Sequence, residues 1–259
     1  VSVPFCRTAA LARGVGLEGA ALAGHLALYP GGFTPERRPL PPEHCDHGAA
    51  AGHSPVLLLH GLFDNRAVFT LLRHNLHVHG WDHLHGLNYN PFTLDVPRAA
   101  ALLGRHVEHV RKVYGGERIA IVGHSLGGLI ARYYVQLLGG DAHVHTLVTL
   151  GTPHQGTVMA HALRPLPIVR QMLPDSEVLA ALNTPATGCR TRFLCFWGDL
   201  DPLIVPNGNA RLAHPDLMAE NVLIRNAGHL TLPVHWEVLA RIREELTHGQ
   251  PTVIDRQIA

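Results

Sequence analysis

Between residue 56 and the C-terminus, short apolar runs alternate with stretches whose apolar residues recur every three or four positions. The runs 56–60, 84–89, 119–122, 144–150, 192–197 and 221–225 have the length and content of buried strands. The stretch 66–79 places Val68, Leu71, Leu72 and Leu76 on one helical face, and 96–113 reads as a long helix cut off by Gly115 and Gly116. Leu126, Leu129, Ile130, Tyr133 and Tyr134 form a further helical stripe, and 232–246 a closing one. Alternating strand and helix signals predict an α/β fold, a mostly parallel central sheet with helices on both faces. No internal repeat interrupts it.

Three segments break that rhythm. Residues 155–187 run for more than thirty positions between two expected strands and carry two short apolar helical pieces separated by prolines. A segment that long inside a compact domain is usually functional, and its place above the C-terminal strand edges fits a lid or acyl-binding cap; the alternative is a lengthened crossover. Residues 14–30, "GVGLEGAALAGHLALYP", are apolar but short for a membrane span and interrupted by Glu18 and His25. A helix packed on the body is expected there, with a membrane-surface or anchor remnant as the alternative. The start at Val1 rather than Met implies that an original start has been removed or replaced. Residues 35–52, dense in proline and charge, read as a surface linker. The organisation is thus an N-terminal helical arm and linker over 1–52, then a body over 53–259.

Composition narrows the picture. With 259 residues, 46% hydrophobic and 16% charged, the chain can bury a sizeable core, and a formal net charge of +1 gives no electrostatic case for nucleic acid. Lys112 is the only lysine and the arginines are scattered, so no polybasic membrane patch is present. The 21 histidines predict a chain that becomes strongly cationic below about pH 6. Four cysteines, Cys6, Cys45, Cys189 and Cys195, lie in no metal-binding spacing; Cys6 and Cys45 could tie down the arm, and Cys195 reads as a buried thiol.

The candidate chemistry begins at Gly123-His124-Ser125-Leu126-Gly127, placed where an apolar strand stops and a helix starts. A turn that tight needs glycine on both sides, and it lifts the Ser125 hydroxyl out of the sheet. A serine nucleophile needs a base and an orienting acid, both expected from loops after later strands. Asp199 and Asp201 follow one such strand, and His229 follows the next, in the order Ser, Asp, His. Spacing alone does not separate the two aspartates. Oxyanion donors are expected from the Leu126 N–H and from the Leu62 N–H in "HGLFDN", after the first strand.

Taken together, "HGLFDN", "GHSLGG", "TLGTPHQGT", "GDLDP" and "AGHL" resemble the bacterial lipases and carboxylesterases of the α/β-hydrolase family. The resemblance spans residues 56–246. It implies the α/β-hydrolase fold, a triad of Ser125, Asp201 and His229 with Asp201 preferred over Asp199, and oxyanion donors at Leu62 and Leu126. It also implies a substrate cleft lined by Phe63, His124, Thr152, Pro153 and His154, and no cofactor. The expected activity is hydrolysis of acylglycerol or similar apolar esters through an acyl-serine. A short-chain or polyester-accepting esterase, a phospholipid deacylase and an acyltransferase share the same chemistry, and a non-catalytic ligand-binding relative is the contrasting class. Expected partners are a small-molecule or lipid ester substrate and transient contact with a lipid interface, with no nucleic acid. Relatives are often secreted, which tilts the compartment outward. The histidines of "RHNLHVHGWDHLHG", together with His106, His109, His143 and His145, read as surface residues rather than metal ligands.

Overall fold

The computed structural model describes residues 3–34, 53–90 and 95–248. The linker at 35–52 and any Cys6–Cys45 pairing lie outside the described residues; Cys189 and Cys195 are free thiols. Six strands form one parallel sheet: β1 (Val56–Leu59), β2 (Leu84–Leu87), β3 (Ile119–His124), β4 (Val144–Leu150), β5 (Arg192–Gly198) and β6 (Met218–Ile224). Their spatial order is β2-β1-β3-β4-β5-β6, and every neighbouring pair is parallel. The chain is therefore wound outward from β1 in both directions. The crevice beyond the carboxyl ends of the central strands is where such a sheet offers a site.

Alternation along the strands builds two cores. Leu57, Leu59, Ile119, Ile121, Leu147 and Phe193 face α3 (Val96–Val113) and α4 (Leu126–Leu137). Val56, Leu58, Ala120, Val122, Val148 and Phe196 face α2 (Thr70–His77) and the last helix. Asp95 caps α3, its carboxylate accepting from the Arg98 N–H at 2.8 Å, and Pro97 supplies the fixed φ of a first turn. Expected and observed bounds coincide at 96–113 and 144–150. The expected helix 66–79 is a single 3-10 turn, Arg66–Phe69, followed by α2, because Asn65 caps the turn through the Ala67 N–H.

The 155–187 segment holds a 3-10 stretch, Val158–Leu163, and two short helices, α5 (Pro167–Arg170) and α6 (Glu177–Leu182). Its second half belongs to the core: Val178, Leu179 and Leu182 are buried with α4. The closing helix is α7 (Trp236–His248).

The N-terminal helix α1 runs from Val3 to Leu28, longer than the apolar stretch alone indicates. It lies on the body beside the 3-10 turn 66–69. Its end is tied down by backbone acceptors: Asn65 Nδ2 donates to Tyr29 O at 2.9 Å and Asn88 Nδ2 to Gly32 O at 2.7 Å. No described helix is long and apolar enough to cross a membrane.

Two of the histidines expected at the surface are buried. His85 sits on β2 against Tyr114, and His145 on β4 bonds the Ser54 and Thr146 hydroxyls at 2.8 and 2.9 Å. Burial pushes His145 down to about 4, and burial also lowers His60, His83, His143, His154 and His235. The acid-side rise in charge is therefore smaller than 21 free imidazoles would give. Among the described residues no group of three His, Cys, Asp or Glu side chains is arranged to hold a metal ion.

Candidate active site

Ser125 is the one residue between β3 and α4, and it has φ 54° and ψ −122°. A non-glycine residue held there is strained and persists only where its surroundings fix it. The flanking glycines are the reason it can exist: a Cβ on Gly123 would lie 2.5 Å from the Gly128 backbone, and one on Gly127 would lie 2.6 Å from His60 O. The Ser125 carbonyl is held by the Thr152 hydroxyl at 3.0 Å. The turn leaves the first N–H groups of α4 without partners inside the helix, beginning with Leu126.

His229 follows β6 and Asp201 follows β5. The His229 Nδ1–H donates to Asp201 Oδ2 at 2.7 Å, and both side chains are almost fully buried. Asp201 Oδ1 accepts from the Leu203 and Ile204 N–H groups at 2.8 and 3.1 Å, so its charge is spread over three donors. Asp199 is used otherwise: it accepts from the Asn226 N–H at 2.6 Å and supports the left-handed Asn226 in the turn leading to His229. Burial disfavours the His229 imidazolium, but the charge and hydrogen bond of Asp201, with Asp64 and Glu18 further off, outweigh it and raise its pKa.

Ser125, His229, Leu62 and Phe63 line one cavity of about 160 Å³, closed by Met159, Ala160, Leu163, Val169 and Met172 of the 155–187 segment. The Leu62 N–H has its direction set one residue earlier. His60 Nδ1 bonds Gly61 O at 2.8 Å while its Nε2 faces the Tyr89 N–H, and the ring stacks on Tyr89, whose hydroxyl donates to His60 O. In a trans peptide the carbonyl and the following N–H point oppositely, so holding Gly61 O by the ring turns the Leu62 N–H the other way.

Four residues expected to line the cleft do not line this cavity. Thr152 tethers the Ser125 carbonyl instead, and Pro153 lies in the same buried loop. His154 bonds the Thr149 hydroxyl at 3.0 Å and is held neutral by burial and by Arg132. Arg132 is itself buried, with its pKa lowered to about 10 by that burial, and donates to His154 O and Leu182 O. His124 lies beneath, its ring centroid 4.7 Å from that of His229.

His124 belongs to a second polar array. Its Nδ1 faces Asp64 Oδ2 at 3.0 Å and its Nε2 faces the His229 carbonyl at 3.2 Å. Both partners are acceptors. Asp64 Oδ1 pairs with His25 Nε2 of α1 at 2.8 Å. Burial opposes the charge on Asp64, yet hydrogen bonds from His124 and His25 hold its carboxyl well below the usual carboxylate range. About two turns earlier on α1, Glu18 accepts from the Leu230 N–H at 2.7 Å, the Thr231 N–H at 3.0 Å and the Thr231 hydroxyl at 2.6 Å. Gly228 permits that approach, because a Cβ there would collide with the Glu18 carboxylate. Glu18 of the N-terminal helix thus bonds the backbone directly after His229, while His25 reaches the His229 carbonyl only through Asp64 and His124, roles that sequence reasoning missed. The available signal was the single acid of a mostly apolar helix, which must find donors if it is buried.

The parallel sheet, the strained serine turn and the buried histidine–carboxylate pair define a lipase/esterase/thioesterase-type α/β-hydrolase. The palmitoyl protein thioesterase family model matches residues 55–188, just over half of the chain, and the chain belongs to that family. Solved structures with the same fold include Bacillus licheniformis lipase BlEst2 in its mature form: 16% identity, 76% of this chain and 94% of that chain, TM-score 0.61. Aspergillus fumigatus lipase B gives 16% identity over 80% of this chain and 56% of that chain, with TM-score 0.66. The monoacylglycerol lipase of Paleococcus ferrophilus gives 16% identity, 76% and 96%, and TM-score 0.57.

Proposed function

We propose that the protein is a serine hydrolase of apolar acyl esters, lipase-like in substrate, with Ser125, His229 and Asp201 as its triad. The observation that carries this is Ser125 at φ 54° in the same small apolar cavity as a His229 bonded to Asp201 at 2.7 Å. His229 takes the Ser125 proton as Oγ bonds to the acyl carbon, and the Leu62 and Leu126 N–H groups stabilise the oxyanion. The bond to the leaving oxygen breaks as His229 returns the proton to the departing alcohol. Water then gives a proton to His229 and its oxygen attacks the acyl carbon; the acid leaves and Oγ regains the proton. The 155–187 segment serves as the cap over the acyl carbon. The family match favours thioesters as a second substrate type, since the same steps apply with sulfur as the leaving atom.

Hydrolysis of p-nitrophenyl esters from acetyl to palmitoyl, beside a palmitoyl thioester, tests the reading with wild type and Ser125→Ala. Turnover that disappears in the variant is expected. Wild-type rates in Ser125→Ala would refute the triad.

A further inference from the structure

The cavity at Ser125 is small. Sites for small organic ligands usually enclose about 300–1,000 Å³, and this one encloses about 160 Å³. Phe63, Asp64, Leu203 and Leu230 also border a groove of about 770 Å³ whose opposite side is α1. The helix presents Val15, Gly19, Leu22 and Leu26 to this groove, and Leu200 and Pro202 complete its floor. Its carboxylates are already engaged: Glu18 by the 230–231 backbone, and Asp64 by His25. What remains is an apolar strip open to water, with Val15 63%, Leu26 61%, Phe63 55% and Leu203 47% exposed. Contiguous apolar surface of this kind marks a site that something apolar covers.

We propose that this groove is the distal subsite for the substrate's hydrocarbon chain, and that α1 rather than the 155–187 segment sets the preference for long chains. The inference rests on the ester-hydrolase reading above. Its basis is adjacency: the groove shares Phe63, Asp64, Leu203 and Leu230 with the Ser125 cavity, so a chain that outgrows the inner cavity and passes these side chains meets an apolar strip along α1. Each methylene moved from water into that path is worth about fourfold in binding. A second hollow lies on the other flank of α1, lined by Leu17, Leu71 and Trp236, and meets the Ser125 cavity only at Leu230. Leu17 is 42% exposed and faces away from the groove, which makes it an internal control.

The test compares p-nitrophenyl butyrate with p-nitrophenyl laurate, both below their aggregation concentrations. Gly19→Phe fills the groove where an added Cβ meets no atom within 4 Å, and Leu22→Gln with Leu26→Gln makes its wall polar. In each, kcat/KM for laurate is expected to fall about tenfold or more, with butyrate within about twofold. Leu17→Gln is expected to change neither. A laurate-to-butyrate ratio unchanged in the groove variants overturns the proposal. So does an equal fall in Leu17→Gln, which would mean that α1 adsorbs to a lipid surface instead. If wild type hydrolyses no ester, it is the ester-hydrolase reading that fails. The groove is then judged by binding of a fluorescent dodecanoyl carboxylate, expected to weaken about tenfold in Gly19→Phe and unchanged in that variant if the inference is wrong.

Discussion

The 155–187 segment and the N-terminal helix are both apolar, both outside the strand–helix alternation, and both placed beside Ser125, yet only the first is legible as functional in the sequence. Residues 155–187 leave one strand and return to the next, so the topology of a parallel sheet puts them over the C-terminal edges whatever their detail. Helix α1 precedes the first strand, and no spacing rule locates it. Its position is fixed by a few polar contacts across the fold: Glu18 to 230–231, His25 to Asp64, and Asn65 to the Tyr29 carbonyl. The difference teaches that an element's distance along the chain from the nucleophile says nothing about its distance in space, whereas an unsatisfied acid in an apolar helix does point to a partner.

The proposed triad is common to both regions and gives the largest expected effect. Asp201→Asn should lower kcat by about 10³–10⁴, as loss of the orienting acid does in other serine hydrolases. Asp199→Asn, which touches only the Asn226 turn, should cost less than about tenfold in kcat. Steady-state rates on one ester measure both, and equal losses would put the acid at the wrong residue.

Glu18→Ala breaks the α1 side alone. It leaves two N–H groups and a hydroxyl next to His229 without their acceptor. We expect kcat on a butyryl ester to fall about tenfold with KM little changed, and Glu18→Gln to recover part of the loss. A rise in KM at constant kcat would make Glu18 a substrate contact instead. Leu163→Asp breaks the other side. Because Leu163 lines the inner cavity, it should raise KM several-fold for every chain length, unlike the groove variants, and a chain-length series distinguishes the two.

The pH predictions separate activity from stability. His229 must be neutral to accept the Ser125 proton, and its pKa lies above the ordinary value. The kcat/KM profile should therefore rise with pH through a midpoint above about 6.5. In Glu18→Gln that midpoint should move down. His145 behaves oppositely, being pushed down to about 4 from about 6.5 in the unfolded chain. The unfolded state then binds more protons between those values, so its contribution to stability is full above pH 6.5 and declines as pH falls toward 4. Melting temperature should drop over that window in wild type and less in His145→Gln, as followed by thermal unfolding at constant ionic strength.

Much of the fold was legible because the central strands β1, β3 and β4 are buried on both faces and the helices that pack on the sheet are amphipathic. The bounds at Val96–Val113 and Val144–Leu150 follow from apolar pattern and the Asp95 cap. Ser125 and His229 could be named because each follows a strand in a fixed order, whereas Asp201 was separated from Asp199 only by the family resemblance. The neighbours that hold them could not. His60 is oriented by stacking on Tyr89, Asp64 acts through two histidines from different elements, and Thr152 through the Ser125 carbonyl. These are contacts between residues distant in sequence, and no periodicity encodes them. The same cause misplaced Thr152, Pro153, His154 and His124, which lie next to the triad in space without lining the cavity. It also put His85 and His145 at the surface, because a histidine's burial depends on which face of the sheet is covered.

The most direct test is to trap the acyl-enzyme. Wild type mixed with p-nitrophenyl laurate, quenched in acid within the first turnovers and digested, is mapped by mass spectrometry. The mechanism predicts a lauroyl mass increment on Ser125 and a burst of p-nitrophenol, both absent in Ser125→Ala. Turnover with the increment on another residue, or turnover that persists in Ser125→Ala, would contradict it.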